Sequence, residues 1–393
     1  MKVLNVIGSM DLRNGGPTEG IRSLGKKMSE KGYTVEVVCL DDPTSEFLSK
    51  ETLNIHALGR GKGWWNYHPR LLPWLIANLP KFDAVIQNGL WQYQSYALYK
   101  AATRPNMPPY YIFPHGMLDP WFQRAPERRL KAARNWFYWK FIEQRVVNNA
   151  QALLFTCQEE MRLAAGTFQP YQPKQQVNVG FGVPYPPAYH ADMAKAFGET
   201  CPGLHGNPYF LFLGRIHPKK GIDLIVKAYA DLCRANGHAK LPKIVIAGPG
   251  LESPYGQNVK KMAEELCPPD SVFYPGMLLG NQKWGALYNC EASVLPSHQE
   301  NFGISVVETL ACGRPVLISD QVNIWREVKD SGAALVQKDS QEGTLKMFSE
   351  WISLSADAKK KMADRAKDCF QACFSIESVT AKLLAALNSN SKS

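Results

Sequence analysis

Short, continuously apolar segments alternate with segments of helical periodicity through the whole sequence. In the amino-terminal half the apolar segments cover residues 2–7, 34–40, 83–86, 110–112 and 152–155. In the carboxyl-terminal half they cover residues 209–213, 243–247, 292–296 and 315–319. A strand that is apolar on both faces needs helices on both sides, so the pattern favours parallel, doubly wound α/β sheets. Because the order of elements restarts midway, we predict two Rossmann-like domains in tandem.

The boundary between these domains is expected in the proline-rich stretch from Pro170 to Pro208. We place an amino-terminal Rossmann-like domain at residues 1–183 and a carboxyl-terminal Rossmann-like domain at residues 184–375. Residues 376–393 are interpreted as a helix and tail that could pack back on the first domain. Open parallel sheets bind ligands outside the carboxyl ends of their strands, so two such domains facing each other across a cleft would place their functional loops there.

Helix ends are predicted from capping residues. Thr18 can cap a helix that runs to Lys31, with Gly32 at its end. Thr156 and Glu159 have the spacing of a capping box, which predicts a further helix start. A long helical segment is expected from about residue 127 to residue 149.

Charge and cysteine usage limit the partners and the compartment. The 393 residues include 45 Lys and Arg against 35 Asp and Glu, a net charge of +10. This balance favours anionic partners such as nucleotide phosphates, an anionic membrane or nucleic acid, without choosing among them. The nine cysteines show no C-x-x-C spacing, and no apolar run reaches the ~18 residues of a membrane span. We therefore expect reduced thiols in a cytoplasmic protein, which could also act at the inner face of the membrane.

A basic loop follows the apolar segment 209–213. Arg215 and Lys220 lie five positions apart in a turn bounded by Gly214 and Gly221. An arginine can grip phosphate oxygens in a bidentate fork, and a lysine adds a point charge. The alternative is an ordinary solvated basic loop. Gly248 follows the next apolar segment, 243–247, and is a candidate for the same site.

Two glutamates, Glu300 and Glu308, flank a predicted helix start in the second domain. The amides of Phe302, Gly303 and Ile304 would lie at the helix amino terminus, where phosphates bind readily. Glu308 would lie about one turn inside and could accept bonds from both hydroxyls of a ribose. Glu300 precedes the helix and would face the group carried by the phosphate. The alternative is two surface glutamates at a helix start, where acidic residues are favoured in any case.

Taken together, these loops resemble those of retaining glycosyltransferases of the GT-B fold, family 4 (group 1). The resemblance covers nearly the whole chain and is most specific over residues 209–336. It implies that the domain at residues 1–183 binds the acceptor and that the domain at residues 184–375 binds the nucleotide sugar. It implies that Glu300 contacts the donor sugar, that Glu308 binds the nucleotide ribose, and that Arg215 and Lys220 hold the diphosphate. It also implies donor-binding roles for the segment from Glu300 to Ile304, including Asn301, and for Gly248.

The resemblance assigns further roles to five other positions. Met277 and Leu278 lie in the segment that meets the base, and Gly15 and Gly16 lie in a flexible loop that closes over the phosphates. His115 follows a strand and is expected to approach the donor sugar, although a lone histidine is more often structural. The family often has Asn-Gly-Val where this chain has Gly180-Phe181-Gly182-Val183, so no role is carried over to that segment.

The expected reaction moves a hexose from a nucleotide sugar, such as UDP-glucose, to a saccharide or lipid-linked saccharide acceptor in polysaccharide or glycolipid synthesis. The sequence has no D-x-D motif, so Arg215, Lys220 and the helix amino terminus are expected to neutralise the leaving diphosphate without a metal or other cofactor. Retention is implied by the family. We favour attack on the face of the leaving diphosphate, with Glu300 and His115 positioning the sugar.

Several alternatives stay open on the sequence alone. A nucleotide-sugar epimerase of the same fold or a non-catalytic sugar-binding protein would share these loops. No nucleic-acid-binding motif is present, so nucleic acid is not an expected partner. Basic and aromatic residues mix in the stretch 124–145, which could contact an anionic membrane or form an ordinary amphipathic helix. They are Arg124, Arg128, Arg129, Lys131, Arg134, Trp136, Phe137, Tyr138, Trp139, Lys140, Phe141 and Arg145. The aromatic residues in segments 64–67 and 91–93 could stack on acceptor sugars or belong to the core.

Overall fold

A computed structural model describes residues 1–124, 129–238 and 241–389 of the chain. The chain divides into two compact units, the first formed by Met1–Pro184 with the segment from Ile376 onward, the second by Tyr185–Ser375. Each unit contains one sheet whose strands are all parallel, as the continuous apolar runs predict. The predicted α/β fold with two parallel-sheet domains is thus confirmed.

The first unit is built on a seven-stranded sheet of order β3-β2-β1-β4-β5-β6-β7. Its strands are β1 (Lys2–Val6), β2 (Thr34–Cys39), β3 (Asn54–Ala57), β4 (Ala84–Asn88), β5 (Tyr110–Phe113), β6 (Ala152–Phe155) and β7 (Gln176–Asn178). Its helices as far as β7 are α1 (Gly16–Glu30), α2 (Leu71–Asn78), α3 (Tyr93–Ala102), α4 (Trp121–Arg124), α5 (Arg129–Tyr138), α6 (Gln144–Asn149) and α7 (Gln158–Ala164). The loops that follow β1, β4 and β5 begin at the same edge of this sheet, where the carboxyl ends of the strands lie.

The second unit is built on a six-stranded sheet of order β10-β9-β8-β11-β12-β13. Its strands are β8 (Tyr209–Leu213), β9 (Lys243–Ala247), β10 (Val272–Gly276), β11 (Ala292–Leu295), β12 (Val316–Ser319) and β13 (Ala334–Gln337). Its helices are α8 (Ala191–Thr200), α9 (Ile222–Asn236), α10 (Pro254–Leu266), α11 (Gly280–Asn289), α12 (Ile304–Ala311), α13 (Trp325–Asp330), α14 (Gln341–Ser353) and α15 (Ala356–Cys369). The strand order changes direction between β8 and β11, which is where doubly wound sheets bind ligands.

The last helix, α16 (Ile376–Asn388), belongs to the first unit. Its Leu383 and Leu387 lie in the core that Val3 and Tyr111 contribute from the sheet. Glu377 at its start pairs with Lys27 of α1 at 3.0 Å. The carboxyl-terminal segment therefore completes the helical layer on one face of the first sheet. Residues 390–393 of the predicted tail lie outside the described residues.

Both predicted caps differ from the observed helix starts. Helix α1 begins at Gly16 with Gly15 as its cap, because Pro17 fits the first turn, and Thr18 lies buried inside the helix. Helix α7 is capped by Cys157, whose sulfur accepts from the backbone N–H of Glu160. Thr156 instead donates its backbone N–H and its hydroxyl to the Glu160 carboxyl group. The prediction of Thr18 as a cap and of the Thr156–Glu159 capping box was therefore wrong.

The predicted long helix over residues 127–149 is interrupted. A π-helical turn, Trp139–Glu143, lies between α5 and α6, and residues 125–128 lie outside the described part of the chain. The extra residue of such a turn shifts the helical face, which here buries both Trp139 and Glu143. Burial raises the pKa of Glu143 to about 8.

The cysteines are free thiols, and all except the partly exposed Cys373 are buried. Burial raises the pKa of the Cys290 and Cys312 thiols to about 12, so these groups are protonated at neutral pH. Within the described ranges, no helix combines the length and the apolar character that crossing a membrane requires.

Candidate active site

Gly248, at the end of β9, allows two strand ends of the second unit to meet. A Cβ atom at this position would lie 1.9 Å from the carbonyl oxygen of Gly214, which follows β8. The two loops continue in contact, since the Ile216 N–H donates to the Pro249 carbonyl at 2.8 Å. Any side chain at Gly248 would push the loop that carries Arg215 away from β9, so this glycine has a steric role in shaping the site.

The basic loop leads from β8 into α9 through a short turn at Pro218–Lys220. Arg215 is exposed and, among the described residues, forms no ion pair. The pKa of His217 is lowered, first by burial and then by the charges of its neighbours Arg215, Lys219 and Lys220. This loop therefore presents positive charge at the carboxyl end of the sheet.

The loop after β11 is tied to the basic loop by backbone contacts. The N–H of His298 and the hydroxyl of Ser297 both donate to the Lys219 carbonyl, each at 2.9 Å. Gly221, with a φ of 65°, caps α9, and a Cβ there would lie 2.3 Å from the Pro296 carbonyl. The predicted acidic and basic segments, some 80 positions apart in sequence, thus form one surface.

Hydrogen bonds of both its backbone groups fix Glu300 in this surface. Its backbone N–H donates to the Gln321 carbonyl, and its own carbonyl accepts from Asn323, both at 2.9 Å. Its carboxylate contacts the ammonium group of Lys220, and each of the two side chains is 20% exposed. The sequence prediction that these residues share a site is consistent with this contact.

Glu308 pairs with a lysine that the sequence analysis missed. The Nζ atom of Lys283, in the first turn of α11, lies 2.6 Å from the Glu308 Oε1 atom. The Glu308 side chain is only 13% exposed, so this ion pair is shielded from solvent. No local pattern marks Lys283, because it reaches Glu308 from a different helix.

Helix α12 begins where the sequence predicts, with Gly303 as its cap at a φ of 81°. The Phe302 ring is buried against Phe374, with 5.7 Å between ring centroids. Asn301 accepts a bond from the Asn323 amide at 3.4 Å, and Ile304 is exposed. The Phe302 side chain therefore anchors the helix start, whereas the Ile304 side chain faces solvent.

The side chains of Met277 and Leu278, in the predicted base-binding segment, differ in their exposure to solvent. The Met277 side chain is 61% exposed, whereas Leu278 is buried in the core of the second unit. A base approaching this segment could contact the Met277 side chain, with Leu278 contributing backbone atoms only. The role of both residues stays a prediction.

His115 lies in the first unit, in a turn after β5. Its backbone is left-handed, with a φ of 51°, and its ring stacks on Phe113 with 5.2 Å between centroids. The Nε2 atom lies 3.0 Å from the Asn88 Oδ1 atom. Burial lowers the pKa of His115 to about 4, so the ring is neutral near pH 7 and can donate a hydrogen bond. The turn is fixed by the Gly116 N–H, which donates to the Glu160 carboxyl group at 2.6 Å.

A pocket of about 1090 Å³ opens beside His115 in the first unit. Trp64, 63% exposed, and Trp91 contribute to its wall. Trp65 instead packs on Tyr93 and donates its indole N–H to the Tyr138 hydroxyl at 2.6 Å. The predicted aromatic residues therefore divide between the pocket wall and the core.

Gly15, with a φ of 87°, caps α1, and a Cβ atom placed on it would have no neighbour within 4 Å. Gly16 is the first residue of that helix.

Comparisons with known proteins show which families and solved structures this chain is similar to. A family model described as "Glycosyl transferases group 1" matches residues 203–368, and one described as "Glycosyl transferase 4-like domain" matches residues 15–179. Among solved structures, HepE from Anabaena, in complex with UDP and glucose, superimposes with a TM-score of 0.73 at 15% identity, over 99% of this chain and 100% of that chain. A putative UDP-N-acetylglucosamine 2-epimerase from Listeria monocytogenes superimposes with a TM-score of 0.62 at 14% identity, over 99% of this chain and 96% of that chain.

The fold and these matches define a two-domain protein of the GT-B class. More narrowly, the chain belongs to the group 1 glycosyl transferases and is similar to family 4. A curated relative, the D-inositol 3-phosphate glycosyltransferase of Acidothermus cellulolyticus, is 26% identical over 129 residues. That match covers 32% of this chain and 29% of the relative, so the shared sequence spans less than a third of either protein.

Proposed function

We propose that the protein is a retaining glycosyltransferase that moves a hexosyl group from a nucleotide sugar to a saccharide or lipid-linked saccharide. The observation that carries this proposal is the joined surface of the second unit, where Glu300 contacts Lys220 beside the exposed Arg215. A carboxylate and two cations at the end of a parallel sheet suit a sugar attached to a diphosphate. UDP-glucose is the favoured donor, since the superimposable HepE was solved with UDP and glucose.

Each residue of this surface has a distinct part in the proposed reaction. Arg215 and Lys220 stabilise the negative charge that develops on the diphosphate as the glycosidic bond breaks. Glu308 accepts hydrogen bonds from the ribose hydroxyls, and Glu300 holds the sugar. The acceptor oxygen bonds to the anomeric carbon on the face that the diphosphate leaves, and a phosphate oxygen takes the acceptor's proton. The neutral His115 helps to position the sugar through its Nδ1 atom, which accepts from a sugar hydroxyl because the Nε2–H faces the Asn88 Oδ1 atom.

Donor hydrolysis tests this proposal. Purified protein is incubated with UDP-, GDP- and ADP-sugars, without acceptor and in the presence of EDTA, and nucleotide release is measured. Release from one class of donor supports both the transferase and its metal independence. Conversion of the sugar without nucleotide release would instead identify the epimerase alternative, and binding without turnover would identify a sugar-binding protein.

Replacing Glu308 with glutamine is expected to raise the Kd for UDP by about 10- to 100-fold, because a charged hydrogen bond to the ribose is lost. Isothermal titration calorimetry with UDP measures the change. Glu291→Gln is the matched control, since Glu291 also pairs with a lysine, Lys359 at 3.2 Å, in the same unit. Equal UDP affinity in wild type and Glu308→Gln would remove Glu308 from the nucleotide site.

We further propose that the stretch 124–145 makes a peripheral contact with anionic membrane. Trp136, Phe137 and Phe141 are exposed, whereas Tyr138 and Trp139 are buried. The described basic side chains of the stretch, Lys131, Arg134, Lys140 and Arg145, are all exposed as well. Arg128 lies outside the described residues. Aromatic and basic groups exposed together suit the boundary of an anionic bilayer.

Sedimentation with liposomes tests the membrane contact. The protein is expected to co-sediment with vesicles that contain anionic lipid at low salt, and to be released at high salt as screening weakens the attraction. A double variant, Trp136→Ser with Phe137→Ser, is expected to reduce the bound fraction severalfold. Leu266→Ser, which removes an exposed apolar side chain from the second unit, is the control. No sedimentation of wild type at low salt would reject the contact.

A further inference from the structure

Three side-chain amides converge on Gly8 at the end of β1. A Cβ atom placed on Gly8 would lie 3.0 Å from the Gln92 Oε1 atom, 3.2 Å from the Gln94 Nε2 atom and 3.3 Å from the Asn66 Nδ2 atom. These are its three nearest contacts, and all belong to neutral amides. All four residues lie in the wall of the large pocket in the first unit. We call Gly8, Asn66, Gln92 and Gln94 the amide cluster.

One hydrogen-bonding position of the amide cluster is unused. Gln94 donates its amide N–H to the Gln92 Oε1 atom at 2.8 Å, and its side chain is buried, the residue being 3% exposed. Its Oε1 atom, also buried, accepts no hydrogen bond within the described part of the chain. Buried polar atoms are nearly always paired, so an unpaired acceptor in a pocket wall indicates a place for a donor from a ligand.

The charged groups in the pocket wall balance in number, with three aspartates (Asp11, Asp41 and Asp42) and three arginines (Arg13, Arg60 and Arg134). Asp41 accepts from the Ser9 hydroxyl and the Met10 N–H, at 2.6 and 2.7 Å. The Arg13 guanidinium group donates two hydrogen bonds to the Asp11 carboxylate. Arg134 donates to the Asn135 amide oxygen at 3.0 Å, and its guanidinium group lies over the Trp64 ring. The chemistry left for a ligand is therefore that of neutral donors and acceptors beside an exposed indole, which suits hydroxyl groups on a sugar ring.

We propose that the amide cluster is the subsite that binds the hydroxyl groups of the acceptor, and that it selects a neutral polyhydroxylated ring over a phosphorylated one. A sugar hydroxyl donates to the free Oε1 atom of Gln94 and accepts from the Asn66 amide, and Trp64 packs against the ring. This inference rests on the proposed transferase function and names the class of its acceptor. The curated relative is named for an inositol phosphate substrate, so the two proteins would differ in acceptor class.

Saturation-transfer NMR with the full chain tests the subsite. The neutral probes are methyl α-D-glucopyranoside, methyl α-D-galactopyranoside and myo-inositol, and each is paired with a phosphorylated counterpart: glucose 6-phosphate, galactose 6-phosphate and D-inositol 3-phosphate. At least one neutral probe is expected to receive saturation, and more strongly than its counterpart. Stronger binding of the phosphorylated member in every pair, or no binding of any neutral probe, would overturn the proposal.

Two variants test whether the neutral probe binds at the amide cluster. Gly8→Ala places a methyl group among the three amides, and Gln94→Met removes one amide at nearly constant length. Both are expected to weaken the neutral probe about tenfold or more. Gly166→Ala, whose new Cβ atom would lie 3.8 Å from the Leu163 carbonyl oxygen, is the matched control and is expected to bind normally. Unchanged probe binding in both cluster variants would place the acceptor elsewhere.

UDP titration of the same proteins separates this inference from the proposed function. Wild type and both cluster variants are expected to bind UDP equally, because Arg215, Lys220 and Glu308, which are proposed to bind UDP, belong to the second unit. Failure of wild type to bind UDP or to release nucleotide from any donor would reject the transferase itself. Normal UDP binding with no effect of either variant on the neutral probe would reject the amide cluster alone.

Discussion

Glu300→Gln is expected to lower the turnover of the donor at least ~100-fold, which corresponds to about 2.7 kcal/mol in the activation barrier. Glutamine keeps the size of the side chain and its ability to accept a hydrogen bond from Lys220, but it removes the negative charge. The positive charge that develops on the sugar as the diphosphate departs then loses its nearest carboxylate. Initial rates of nucleotide release at saturating donor measure the effect.

A comparison with Glu308→Gln separates catalysis from binding. Glu300→Gln is expected to leave the Kd for UDP within about threefold of wild type, since UDP lacks the transferred hexose that Glu300 is proposed to hold. Glu308→Gln should show the reverse pattern, with weakened UDP binding. Because Glu300 contacts Lys220 in a partly shielded pair, the melting temperature of each variant must also be compared with wild type. Near-normal turnover of a folded Glu300→Gln variant would remove Glu300 from the mechanism.

Most of the strands could be predicted from the sequence, because parallel strands are apolar on both faces. The segments 209–213 and 243–247 were predicted with the bounds that β8 and β9 have. Helix starts were less predictable, since several residues in one loop can cap a helix. Pro17 and Gly15 set the start of α1 in place of Thr18. The π-helical turn at Trp139–Glu143 leaves no periodicity signal of its own, so one long helix was expected there.

Some contacts of the candidate site could likewise be predicted from the sequence, and others could not. The contact of Glu300 with Lys220 could be anticipated because both follow neighbouring strands of one parallel sheet, whose carboxyl ends share an edge. Lys283 and Glu160 could not, because each reaches its partner from a helix that the pattern does not tie to the site. The amide cluster depends on the loop of Asn66 and the start of α3, with Gln92 and Gln94, meeting at Gly8, and such convergence is a property of the folded chain alone.

Arg215→Ala is expected to lower turnover at least ~100-fold as well, again about 2.7 kcal/mol, for a different physical reason. Lys220 and Lys283 already face carboxylates, whereas Arg215 forms no ion pair with any of the residues described. It is therefore the group best placed to bind the diphosphate as charge develops on the leaving oxygens.

The chemistry of the guanidinium group makes this prediction specific. Arg215→Lys keeps the charge but loses the planar fork, so it is expected to recover part of the turnover of Arg215→Ala and not all of it. Arg234→Ala, which removes an exposed arginine paired with Asp231 on α9, is the matched control and should turn over normally. Equal rates for Arg215→Ala and Arg234→Ala would show that the diphosphate is neutralised without Arg215, and the helix amino terminus at Gly303 with Lys220 would then have to supply that stabilisation.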